Sequence, residues 1–203
     1  MHLYRILILL LTLNVSAGVG WAHGSYKPGN TSGVEIGSLS HGEMGVVAEF
    51  RTSILAVART VEKTDSKFRS LLNFEGIQRT YCMWGIMPGS NTDEGSPFNE
   101  CSHAYLSAAK ELLMHMRTMP DVSNQAGDLI SRIDREATLR GVAFIGCEYS
   151  GEVFNSAEVV TPHWENVAAH MPTMLAFSGL TAFLAVTAGA GFVRLKASPK
   201  SEI

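Results

Sequence analysis

Residues 47–71 read VAEFRTSILAVARTVEKTDSKFRSL, and the spacing of their apolar side chains decides the fold class. Val47, Phe50, Ile54, Val57, Val61, Thr64, Phe68 and Leu71 follow one another in steps of three and four, with Arg51, Arg59, Glu62 and Lys63 off that line. A stripe at this period belongs to a helix with one buried face. It predicts a single long amphipathic helix over 47–71, packed in a bundle or against a partner, since both use the same stripe. The stripe is expected to pack within the chain, as one helix of a bundle.

Downstream, Phe74 to Ser102 loses the period and carries Gly85, Pro88, Gly89, Gly95 and Pro97, which predicts a loop. Helical spacing resumes at Tyr105, Ala109, Leu112, Met116 and Met119 and stops at Pro120. Asp121 or Ser123 is a candidate cap for the next helix, whose stripe is Ala126, Leu129, Ile133 and Ala137, with Arg140-Gly141 as its end. The short connection around Pro120 predicts an antiparallel hairpin. Residues 141–154 are strand or helix by the same test, and 156–171 carry a weak helical pattern. The fold class is mainly α: a small helical bundle with a disulfide-stapled loop, plus one C-terminal transmembrane helix.

The two ends set the expected topology. Residues 172–193, PTMLAFSGLTAFLAVTAGAGFV, contain no charge, which matches the roughly 20 residues a spanning helix needs. Arg194, Lys196 and Lys200 follow at once, whereas Lys and Arg are absent from Gly141 through Val193. That asymmetry predicts a cytoplasmic tail and an exported middle. At the other end, Arg5, the apolar Ile6–Leu13 and the small residues up to Ala22 read as a secretory signal, cut after Ala22 or after Ala17. The expected organisation is a signal peptide at 1–22, a flexible lead-in at 23–43, an extracytoplasmic helical domain at 44–171, the span at 172–193 and a cytoplasmic tail at 194–203. This is single-pass type I topology, assigned to a bacterial inner membrane with a periplasmic domain. Ser178, Ala182, Ala185 and Gly189 give the span a small-residue face suited to a second helix.

Composition narrows function by exclusion. The 203 residues carry a net charge of −3 and no Lys/Arg block, which argues against a nucleic-acid binder. Outside the cytoplasm two of the three cysteines are expected to pair. Cys82–Cys101 is the economical choice, with Cys147 left over or replacing either partner. G-x-S-x-G, H-E-x-x-H and Walker patterns are absent, so no enzyme is expected. The expected function is a non-catalytic interaction or accessory subunit of a membrane or envelope complex, with the 82–101 loop and the span presenting surfaces to a protein partner.

The alternative is copper handling in the periplasm. A chain beginning at His23 would offer its amine and ring to one ion, and His115 and Met119, at i and i+4, supply an imidazole and a thioether. A second candidate is the stretch 141–172, where His163 and His170 lie among Glu148, Glu152, Glu158 and Glu165 without a basic residue. Imidazoles beside carboxylates titrate near neutral pH, so pH or cation sensing is the chemistry this pattern suits.

Overall fold

A computed structural model describes residues 33–142, 145–146 and 151–197, with side chains through Phe192. The signal-peptide reading, His23, Cys147 and the tail beyond Ala197 lie outside the described residues. Among the described residues the chain is mainly helical. A two-residue strand β1 (Glu35–Ile36) precedes α1 (His41–Ala58), α2 (Ser66–Tyr81), α3 (Asn99–Met116) and α4 (Ser123–Leu139). Strand β2 (Phe154–Asn155) and α5 (Met171–Ala197) follow.

The stripe at 47–71 is two helices rather than one. It is buried at Val47 and Ile54 on α1 and at Phe68 and Leu71 on α2, yet the chain leaves the helix between Arg59 and Asp65. The cause is local. The Asp65 carboxylate accepts the Phe68 amide at 2.7 Å and offers the backbone a new helix start. Helix α1 begins on a capping box, with the Ser40 hydroxyl on the Glu43 amide and the Glu43 carboxylate on the Ser40 amide.

Helix α2 also runs further than expected, through Gly76 to Tyr81, so the loop shrinks to 82–98. Cys82 and Cys101 form a disulfide at its two ends, with Cα atoms 5.6 Å apart. Helices α2 and α3 are antiparallel: the start of α2 meets the end of α3 through Lys67–Glu111, and the disulfide joins the opposite ends. Helix α3 is the centre of the molecule. It is buried on nearly every side, at Cys101, Ala104, Tyr105, Leu106, Ala108, Leu112 and Met116 among others. Its Ala and Ser positions let the neighbouring helices come close. Its main partner is α2, while α4 lies chiefly on α1, so the hairpin expected around Pro120 is the lesser contact.

Helix α4 buries Ala126, Leu129, Ile133 and Ala137, the stripe read from sequence. Its first turn is capped by neither Asp121 nor Ser123; Val122 occupies the cap without a side-chain bond. It ends as expected at Arg140, in a Schellman arrangement. Gly141 takes φ +66°, and the Gly141 and Val142 amides bond to the carbonyls of Thr138 and Ala137. The second half of the expected flexible lead-in is built into the fold. Ile36 and Leu39 are fully buried, and β1 pairs antiparallel with β2, Ile36 opposite Phe154. Residues 156–170 form no α-helix and make an irregular strap, with turns at 156–157 and 167–169 and a 3-10 turn at Trp164–Asn166.

One charged pair lies within the packed helices. Arg51 on α1 bonds through Nε to Glu75 on α2, a residue only 1% exposed, and stacks over the Tyr105 ring of α3 at 5.9 Å. Breaking such a pair from one side leaves an uncompensated buried charge. Glu75→Ala is therefore expected to destabilise the bundle by on the order of 3 kcal/mol, and Arg51→Met/Glu75→Leu to recover most of that loss. Chemical unfolding followed by circular dichroism checks this. Equal losses in the single and double variants would contradict it.

Candidate functional site

The strap is held to α2 before it reaches the loop. Ser156 receives the Val34 amide on its hydroxyl at 2.8 Å and meets the Ser70 hydroxyl at 2.8 Å. Further along, the Gln78 amide group is matched to the backbone of Val160, donating to its carbonyl at 2.6 Å and accepting its amide at 3.0 Å. A buried glutamine thus replaces a missing sheet neighbour for an extended segment. Contacts at 70 and then 78 show that the strap follows α2 toward its C-terminal end, where the stapled loop begins.

Two histidines bind the strap there. The His163 amide donates to the Pro97 carbonyl at 2.8 Å. Its ring donates from Nε2 to Glu100 at 2.6 Å and from Nδ1 to Glu165 at 3.2 Å. Next to it, Trp164 meets the buried Phe98 ring edge-on, with centroids 5.3 Å apart. His170 donates from Nε2 to Asp93 in the loop at 3.0 Å, and its Nδ1 pairs with the Thr173 hydroxyl at 2.7 Å. On the other side of the loop, His41 Nδ1 stands 3.9 Å from Glu94. It also borders a hollow of about 220 Å³ lined by Gly42, Val46, Asn91, Thr92, Val142 and Ile145.

The charges of this belt depend on one another. Desolvation pulls the His163 ring down, but Glu100 and Glu165 outweigh it, so its pKa is raised and the doubly donating imidazolium is favoured. The hydrogen bond from His170 and the Gly95 amide hold the Asp93 carboxyl below its ordinary range. His163 and His170, noticed in sequence for their acidic surroundings, therefore do face carboxylates. Two of these, Asp93 and Glu100, come from the loop and α3 rather than from the strap's own Glu residues. Nothing in the local sequence announced them, because the pairing depends on where α2 delivers the strap.

Helix α5 starts from this belt. Thr173 in its first turn is fully buried, and Ala176 and Phe177 are partly buried against the core. Beyond them the helix stands clear of the domain, with Leu180, Phe183, Leu184 and Val186 all exposed. The 22 residues Met171–Phe192 are long and apolar enough to cross a membrane. Of the small-residue face, Ser178, Ala182 and Ala185 are exposed and Gly189 is half-buried. A Cβ added at Gly189 would meet nothing within 4 Å among the described residues.

The proposed metal ligands fall elsewhere. His115 donates to the Asp65 carboxylate at 2.8 Å, joining the end of α3 to the cap of α2, and Glu111 on the preceding turn pairs with Lys67. Helix α3 ends at Met116, so Met119 sits in the turn beyond it, and the two residues do not share a regular helical face. Among the described residues no group of three or more His, Cys, Asp or Glu is placed to hold a metal ion. His103, which neighbours Ser102 and Cys101 in sequence, is a buried core residue donating to the Leu39 carbonyl at 2.7 Å. Burial lowers its pKa and keeps it neutral. Compared with protein-family models, curated proteins and solved structures, the chain matches none.

The belt has a pH signature. Because His163 has a raised pKa in the fold, its contribution is complete below the ordinary histidine value of 6.5 and is lost as pH rises through the folded value. Asp93, with a lowered pKa, contributes above its ordinary 3.8 and loses that as pH falls through the folded value. The stability difference between the native chain and His163→Gln should therefore be largest in mildly acidic solution and vanish on the alkaline side. With the His163 side chain 37% exposed, screening limits it to less than about 1 kcal/mol. Melting curves of the two proteins across pH test this, and a pH-independent difference would contradict it.

Proposed function

We propose that this chain is a non-catalytic, membrane-anchored accessory subunit that displays a helical domain outside the cytoplasm and joins a larger membrane or envelope complex. The observation that carries the reading is the contrast within α5. Its first turns are clamped to the domain, while the following turns are apolar and exposed at Leu180, Phe183, Leu184 and Val186, a composition that suits lipid better than water. A helix of this kind needs lipid or another helix around it. The run of Lys and Arg directly after the span, and their absence from Gly141 through Val193, favour type I topology with the domain exported. A cross-linked domain suits an oxidising compartment, and a bacterial periplasm is the compartment we assign.

The partner contact falls on the small-residue face Ser178, Ala182, Ala185 and Gly189. Among the described residues nothing takes up the space at Gly189, which leaves room for a second helix. Extraction of the full chain from its native membrane under mild detergent is expected to yield a defined assembly, with any metal below one ion per chain. Ala185→Leu/Gly189→Leu should leave the chain in the membrane but release the assembly. A strictly monomeric native chain would defeat the accessory-subunit reading, and stoichiometric copper lost in His115→Ala would replace it with the copper-handling one.

A further inference from the structure

The stapled loop opens on a feature that neither the bundle nor the histidine belt uses. Immediately after Cys82, Met83, Trp84 and Gly85 all take positive φ, at 51°, 56° and 68°. Two side-chain-bearing residues in succession, one of them tryptophan, are held in a region such residues avoid. Gly85 is required twice over, since a Cβ there would collide with the Tyr105 hydroxyl. The turn drives Trp84 and Ile86 outward, 51% and 70% exposed. Ile77 and Tyr81, one turn apart at the end of α2, are each 51% exposed beside them in the chain, and Trp164 on the strap is also 51% exposed. Backbone strain that ends in an exposed aromatic side chain points to a surface with a use.

What covers this surface follows from where it lies. The strap runs along α2 to the same end of the bundle. There Trp164 packs on Phe98, at the base of the loop that carries Trp84. The loop itself holds the start of α5 through Asp93 and His170. Thr173, Ala176 and Phe177, which the domain buries wholly or in part, belong to the apolar window Met171–Phe192. If that window enters a bilayer, the domain end that touches its first two turns, about 10 Å of helix, lies at the depth of the lipid headgroups. Tryptophan and tyrosine favour that layer because each has an apolar body and a polar tip.

We infer that the exposed aromatic end of the domain, Tyr81, Trp84, Ile86 and Trp164, is a lipid-interface anchor that rests in the headgroup layer around the span. This rests on the reading that α5 crosses the membrane. It reassigns the stapled loop from protein docking to lipid contact. The span then leaves the bilayer with the domain seated on the surface at a fixed tilt, and its other faces remain open to a protein partner.

The test uses the full chain reconstituted into phosphatidylcholine vesicles that contain no other protein. Trp21→Phe/Trp164→Phe leaves Trp84 as the sole tryptophan, and Trp21→Phe/Trp84→Phe leaves Trp164. Both variants are checked for native helicity and for retention after an alkaline carbonate wash. The expected result is blue-shifted emission from each, most of it lost with lipids brominated near the headgroups, less with lipids brominated deep in the chains, and little accessibility to aqueous iodide. Retained protein whose Trp84 emits as in water and is quenched by iodide overturns the anchor while the span stands, and leaves the surface to a protein partner. Protein removed by the wash overturns the span reading and the anchor with it.

Discussion

The bond between Cys82 and Cys101 closes a loop whose own residues offer little to hold it. Between the two cysteines the chain spends Pro88, Gly89, Gly95 and Pro97 on turns and buries few large apolar side chains, chiefly Met87 and Phe98. Cross-linking positions 19 apart removes on the order of 3 kcal/mol of unfolded-chain entropy. The bond also fixes the end of α2 against the start of α3. Everything that attaches the strap to the domain's far end then depends on this loop: the Pro97 carbonyl, the Phe98 ring, the Asp93 carboxylate and, one residue before Cys101, Glu100.

The strap shows how a segment without regular structure is kept in place. Its backbone is satisfied by side chains, Gln78 above all, and its two histidines are satisfied by carboxylates from other elements. Such polar contacts are individually small in net value. Their placement matters more than their sum, because they decide where the apolar helix α5 emerges. A flexible connection would let the domain wander from the base of that helix; the belt sets it down at one end of the bundle.

Legibility in the sequence followed the physics of each element. The α4 stripe was readable residue for residue, because Ala126, Leu129, Ile133 and Ala137 lie on a surface helix with one buried face. Helix α3 was found but under-read: its Ser102, Ala104, Ser107 and Ala108 are buried through close packing, which hydrophobic spacing does not register. The split of the 47–71 stripe had its signal in Thr64-Asp65-Ser66, a run of capping residues that a stripe of apolar positions overrides when read alone. The disulfide followed from compartment and proximity in sequence. The belt was half legible: His163 and His170 stood out, but Asp93 and Glu100 are some seventy residues away from them, and only the course of the strap along α2 brings them together.

Hydrogen exchange of the full chain in lipid nanodiscs, oxidised and after reduction of the disulfide, tests most directly the claim that the stapled loop seats the domain on the base of a membrane span. In the oxidised chain the account predicts slow exchange in 83–98, in 163–170 and in the span from Ser178 to Phe192. Reduction should speed the first two together and leave the span unchanged. Rapid exchange of 163–170 in the oxidised protein, or a span that exchanges as freely as an exposed helix in water, would contradict it.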